Sequence, residues 1–272
     1  MRMRDLLVVL GPELEAAGRY ALWLAKELDA GLTAASPVLE PSLAYISAEL
    51  PSEILSKIQE EAEHAANIVL TDFADRGRQR GVKVETQLVR ALAGEAGREI
   101  RKIARYYDVT ILDQGNPENA RSGELIESAL FGSGRPILVV PYIFEEPGKL
   151  ETVLVAWDGS QAAARALGDS LPLLARAKQV QVVTVEGVRE PANDHWRKEV
   201  VRHLKHHGIE AEADTLISAG DTANTLLSYA ADSGANLIVM GGYGHSRIRE
   251  MVLGGVTREI LRSMTIPVLM SH

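Results

Sequence analysis

Asn236-Leu237-Ile238-Val239-Met240 runs straight into Gly241-Gly242-Tyr243-Gly244, and nine residues later Gly254-Gly255-Val256-Thr257 opens a stretch of helical period holding Ile260 and Leu261. A short apolar run bounded by glycine reads as a buried strand, and a strand feeding a helix is half of a βαβ unit. The same grammar appears upstream, where Thr152-Val153-Leu154-Val155-Ala156-Trp157 leads through Asp158-Gly159 into an alanine-rich helical segment. Further strands are predicted near 180–185 and 210–217. A last one follows Pro267, within Ile266-Pro267-Val268-Leu269-Met270. Helices are predicted near 160–176, 193–207, 221–233 and 250–264. Short β-branched runs alternating with helical stretches predict a parallel sheet flanked by helices.

The first half repeats the second. Asp5-Leu6-Leu7-Val8-Val9-Leu10 answers Thr152 to Trp157, Asp108-Val109-Thr110-Ile111-Leu112 answers Asn236 to Met240, and Arg135-Pro136-Ile137-Leu138-Val139-Val140 answers the Pro267 run. The chain thus reads as a duplicated unit of about 130 to 145 residues, within the usual size of a domain. Pro51 to Arg80 forms an unusually long helical stretch, with Ile54, Leu55, Ile58, Ala62, Ala65 and Val69 at helical spacing. Glu145-Glu146-Pro147-Gly148-Lys149 breaks the pattern and suggests domains at 1–144 and 151–272.

Composition narrows the function. The 272 residues are 46% hydrophobic and 24% charged, ordinary values that argue against a disordered or fibrous chain. With 29 Lys and Arg against 37 Asp and Glu the net charge is −8, so no global positive field draws the chain to nucleic acid or an anionic membrane. Trp23, Trp157 and Trp196 form no regular stacking platform. No cysteine is present, which excludes disulfides, thiolate metal sites and a cysteine nucleophile. Met1-Arg2-Met3-Arg4 runs directly into the first apolar segment without an export-like leader, so a cytoplasmic, soluble protein is expected.

Doubly wound sheets bind ligands at the carboxyl ends of the strands flanking their switch point, which in a 3-2-1-4-5 order are the first and fourth. In the second half those ends carry Trp157-Asp158-Gly159 and Met240-Gly241-Gly242-Tyr243-Gly244. Glycines there let backbone N–H groups approach an anion without an intervening Cβ, and a helix start adds free donors and a positive dipole end. The spacing is G-x2-G-x9-G. It suits phosphate, although a tight strand-to-helix turn with no ligand has the same composition. Asp158 either holds a ligand or caps the helix starting near Ser160.

On this motif and its context the chain resembles the universal stress protein family in its tandem two-domain form, along essentially its whole length. The resemblance implies two tandem Rossmann-like domains of the adenine nucleotide alpha hydrolase-like kind, each a five-stranded parallel sheet of order 3-2-1-4-5. It also implies ATP or another adenine nucleotide as ligand, with Mg as its companion ion. Carried over by position, Gly241, Gly244 and Gly254 hold the phosphates, Asp158 the nucleoside and Val185 the base. Ala156 and Trp157 line the same slot, Met240 ends the strand that carries the loop, His245 sits inside the loop, and Gly255 and Val256 follow the last glycine. Where family members place Ser or Thr after that glycine, this chain has Gly255, which removes a side-chain ligand for the terminal phosphate. Ser246 and Thr257 are the nearest other hydroxyls. Arg247 and Arg249 are candidate phosphate partners.

The first half departs further. Gly11 stands at the position of Asp158, Asp113 at that of Gly241, and the loop from Asp113 to Gly123 is shorter than its counterpart and contains Pro117. A carboxylate there repels phosphate, so the first domain is expected to keep the fold and lose the site. His203 and His207 stand one helical turn apart but lack a third ligand, and read as a solvated helix end. No G-x4-GK[ST] loop is present, so binding without rapid turnover is expected. The alternatives are a slow ATP hydrolase and a scaffold that binds no nucleotide. The resemblance further implies that the strands led by Pro136 and Pro267 pair antiparallel, joining the two domains within one chain and leaving a homodimer open.

Overall fold

The computed structural model describes residues 2–11, 16–40, 52–92, 94–114, 120–145, 149–187, 195–218, 220–242 and 255–272. The chain forms two compact units, Met3–Arg135 and Pro136–His272, the latter with the extreme N-terminus. In the first, β1 (Asp5–Val9), α1 (Ala16–Leu28), β2 (Gly31–Glu40), α2 (Ser52–Gln79), β3 (Val84–Leu92), α3 (Ala96–Ala104), β4 (Val109–Asp113) and α4 (Ala120–Gly132) follow one another. The second holds β5 (Ile137–Val140), β6 (Thr152–Ala156), α5 (Gln161–Leu174), β7 (Gln179–Gly187), α6 (His195–His206), β8 (Ala211–Ser218), α7 (Thr222–Asp232), β9 (Leu237–Gly241), α8 (Gly255–Ser263) and β10 (Val268–Ser271).

Strand order in the first unit is β3-β2-β1-β4, all parallel, with Leu6 facing Leu32 on one side and Val109 on the other. In the second, β8-β7-β6-β9-β10 are parallel in the 3-2-1-4-5 order, and β5 closes the series antiparallel to β10, Val139 opposite Val268. The Pro136 and Pro267 runs therefore do pair antiparallel, and β5 packs with Pro136–His272.

The central strands are apolar without alternation because helices cover both faces of the sheet. Leu6, Leu7, Val8, Val109 and Ile111 are fully buried in one unit, and Val153, Leu154, Ile238 and Val239 in the other. The two units share single hydrogen bonds at matching places. Leu10 N–H donates to the Ala35 carbonyl and Trp157 N–H to that of Val183, both at 2.8 Å. Asp108 N–H donates to Asp5 and Asn236 N–H to Thr152, at 2.8 and 2.9 Å. These pairs make Gly11 the structural counterpart of Asp158, and Asp113, which ends β4, the counterpart of Gly241, which ends β9. Because each chain of strands reverses its direction of growth after the third, the switch points lie between β1 and β4 and between β6 and β9.

Candidate functional site

The turn leaving β6 is built to leave its tip in solvent. Thr184 Oγ1 donates to the Trp157 carbonyl at 2.6 Å, tying the end of β6 to β7. Asp158 is exposed and accepts from Ser160 N–H at 2.9 Å through Oδ1, spanning Gly159, whose φ of 74° favours glycine. The helix cap is Ser160, whose hydroxyl accepts from Ala163 N–H at 3.1 Å. Asp158 therefore braces the turn, and the helix start leaves its outer carboxylate edge for something else.

On one side β7 continues past the end of β6. Ala156 is matched to Val183, so Val185 stands beyond the last β6 pair, half-buried and opposite Leu216 of β8. On the other side Ala156 is matched to Met240 of β9. Met240 is buried. Gly241 has a packing reason of its own: a Cβ there would lie 2.6 Å from Ala163 N and 2.8 Å from Ala162 C, both main-chain atoms of α5. Gly242 N–H then donates to the Ser271 carbonyl at 2.8 Å. Gly244, His245 and Gly254, with Ser246, Arg247 and Arg249, lie outside the described residues. Gly255 begins α8, and among the described residues no atom outside its own helix lies within 4 Å of where a Cβ would sit; Val256 is exposed, and Thr257 is buried at 3%. The fold thus brings Ala156, Trp157, Asp158, Val185, Met240 and Gly241 to the carboxyl ends of three adjacent strands.

The first unit handles the same place differently. Asp113 is only 5% exposed, and its Oδ1 accepts from Ala17 N–H, in the first turn of α1, at 2.9 Å. Its Oδ2 is buried and accepts no hydrogen bond. Burial pushes the pKa up from 3.8 to about 6, against the pull of the Ala17 N–H and the Arg19 guanidinium. A helix N-terminus that could receive an external anion here receives the chain's own carboxylate. Sequence reading puts Asp113 at the strand end but misses this bond, because its partner lies 96 residues away and no local pattern links them.

Two other groups escape a reading of spacing alone. Ser160, rather than Asp158, is the cap, and the S-x-x-A pattern of Ser160 to Ala163 carries little signal. Glu186, beside Val185 on β7, has a buried Oε2 without a hydrogen-bond partner. The His203 and His207 rings meet edge-to-face with centroids 4.9 Å apart. Among the described residues no group of three or more His, Asp or Glu is arranged to hold a metal, and no helix is long and apolar enough to cross a membrane.

The sequence profile of the universal stress protein family matches residues 149–272. Universal stress protein Slr1230 of Synechocystis sp. is 33% identical over 175 residues, 60% of this chain and 57% of that protein, so the match spans little more than half of that relative. Universal stress protein YxiE of Bacillus subtilis is 29% identical over 142 residues, 43% of this chain and 95% of that protein. Among solved structures, a universal stress protein from Archaeoglobus fulgidus DSM 4304 aligns over 97% of this chain and 95% of its own. Its TM-score is 0.72 at 17% identity, a likeness of fold.

Proposed function

We infer that the chain is a universal stress protein, since the profile of that family matches residues 149–272, and we propose that its C-terminal unit binds an adenine nucleotide, ATP, ADP or AMP, as a signal rather than as fuel. The observation that carries the reading is the asymmetry of the two switch points: β4 ends in a carboxylate bonded to a helix start, whereas β9 ends in glycine. The residues fit the ligand in three respects. Gly241 and Gly255 offer main chain without side chain, the exposed Asp158 carboxylate suits a ribose hydroxyl, and the half-buried Val185 suits the face of a base. Gly244, Gly254 and His245 complete the set by position. Bound nucleotide would bring phosphate charge, and the chain's part is to orient it: the α8 N-terminus supplies backbone donors for the phosphates, while Trp157 and Ala156 wall the slot. The N-terminal unit, with Asp113 in the phosphate position, serves as a closed twin. The fold and a composition without strong positive charge suit a cytoplasmic role without nucleic acid or membrane as partner.

One observation favours a second reading, a scaffold that binds no nucleotide: Gly241 is already required by packing against α5. Mass spectrometry of small molecules released from the denatured protein, followed by ATP titration, separates the two. We expect co-purifying or titratable adenine nucleotide, lost in Gly244→Glu. Gly255→Ser should bind ATP more tightly, since a Cβ there meets nothing within 4 Å among the described residues outside its helix and the added hydroxyl donates to phosphate. Phosphate release linear in time would make the chain a slow hydrolase. Absence of both bound and titratable nucleotide would leave the scaffold.

A further inference from the structure

At its carboxyl end β9 passes into Gly242, and both polar groups of that residue's backbone are held. Its N–H donates to the Ser271 carbonyl at 2.8 Å, one step past the last rung of the β9–β10 ladder, where Gly241 faces Ser271. Its carbonyl lies 2.9 Å from Nδ1 of His272. A carbonyl has no proton to give, so Nδ1 is the donor in this bond. A main-chain N–H ordinarily serves a carbonyl at such a place in a parallel pair; here a side chain does. Ser271 is itself anchored. It is 1% exposed, and its hydroxyl donates at 3.0 Å to Oδ2 of Asp169 on α5, which also accepts from Arg165 Nε at 2.9 Å. The same helix packs its main chain against Gly241.

The matching residues of the first unit cannot build such a clamp. With Pro136 set against Pro267, Val140 stands where Ser271 does and Pro141 where His272 does, and neither side chain donates a hydrogen bond. The clamp thus accompanies the strand that ends in glycine, β9, and not the strand that ends in the Asp113 carboxylate, β4. A peptide is planar, so holding the Gly242 carbonyl holds the whole plane through which the chain leaves β9. Main-chain groups bind an anion best when their direction is set before it arrives. We propose that His272 is a positioning residue for the nucleotide site, its Nδ1–H fixing the Gly242 peptide where β9 meets the phosphates. This rests on the nucleotide reading of the C-terminal unit.

The test titrates ATP into the full chain as wild type, His272→Ala and His272→Asn, with unfolding midpoints measured without nucleotide. His272 is exposed, so both variants should unfold close to wild type. Alanine is expected to weaken ATP binding about tenfold. Asparagine, whose Nδ2–H takes the place of the ring Nδ1–H, should bind within about threefold of wild type. Proton–nitrogen NMR of the imidazole without ATP should find Nδ1 protonated. The proposal is overturned, with the nucleotide reading left standing, if ATP binds wild type and His272→Ala equally, if asparagine binds no better than alanine, if Nδ1 carries no proton, or if the loss of affinity follows a loss of stability. A wild-type protein that binds no ATP overturns both.

Discussion

Replacing Asp113 by asparagine is expected to stabilise the protein above pH 7 by up to about 3 kcal/mol and to leave it unchanged near pH 4. The carboxyl is 5% exposed, with one oxygen on Ala17 N–H and the other without a partner, so its charged form is disfavoured. Its folded pKa of about 6 lies above the ordinary 3.8. Between those values the folded chain keeps a proton that the unfolded chain has lost, so stability falls as pH rises through the interval. The contribution is complete below pH 3.8 and gone above pH 6. Asparagine keeps an acceptor for Ala17 N–H and carries no charge, which removes that loss. Urea denaturation of both proteins from pH 4 to 7.5 reads the difference directly, because other titrating groups are common to both. An asparagine variant less stable at pH 7.5, or a gap that does not change with pH, would show that Asp113 is not the strained group described here.

Gly241→Ala is the second large effect. The added Cβ would sit 2.6 Å from Ala163 N, and main chain at a helix start cannot swing aside as a side chain can. Either β9 or α5 must shift, at a cost of about 1–3 kcal/mol. Gly255→Ala is the control. Among the described residues nothing outside its own helix lies within 4 Å of its Cβ and it begins a helix, so it should be neutral or gain a few tenths of a kcal/mol, roughly the scale of helix propensity. Thermal or urea unfolding without nucleotide measures both. A Gly241→Ala protein as stable as wild type would remove the packing explanation and leave that glycine to the ligand alone.

This contrast shows where sequence and structure part company. The strands were legible because they are buried on both faces and so read as unbroken apolar runs: Leu6 to Val9, Val153 to Val155 and Leu237 to Met240 differ from their surroundings without any alignment. The long helix ending near Gln79 was legible from its period, although its first turns bury little. The matching order of the two halves was legible because the same apolar runs recur in it, and the bonds of Leu10 and Trp157 fall at matching places. Contacts made across the sheet were not legible. Nothing local ties Asp113 to Ala17 or Gly241 to Ala163, and the glycine at 241 reads as a phosphate cradle until α5 is seen against it. Capping failed more narrowly: Asp158 and Ser160 are both good caps by type, and only the bond from Ala163 N–H to the Ser160 hydroxyl gives Ser160 the role. The glycine loop from Gly244 to Gly254 lies outside the described residues, so its part in the site rests on position.

The two crevices make the central claim testable in one measurement, amide hydrogen exchange of the full chain with saturating ATP alongside a binding titration. We predict one equivalent of nucleotide per chain, with exchange slowed at the ends of β6, β7 and β9 and at the start of α8, and unchanged around Leu10, Ala17 and Asp113. Slowed exchange at the end of β4 and the start of α1, or a second equivalent bound there, would contradict it.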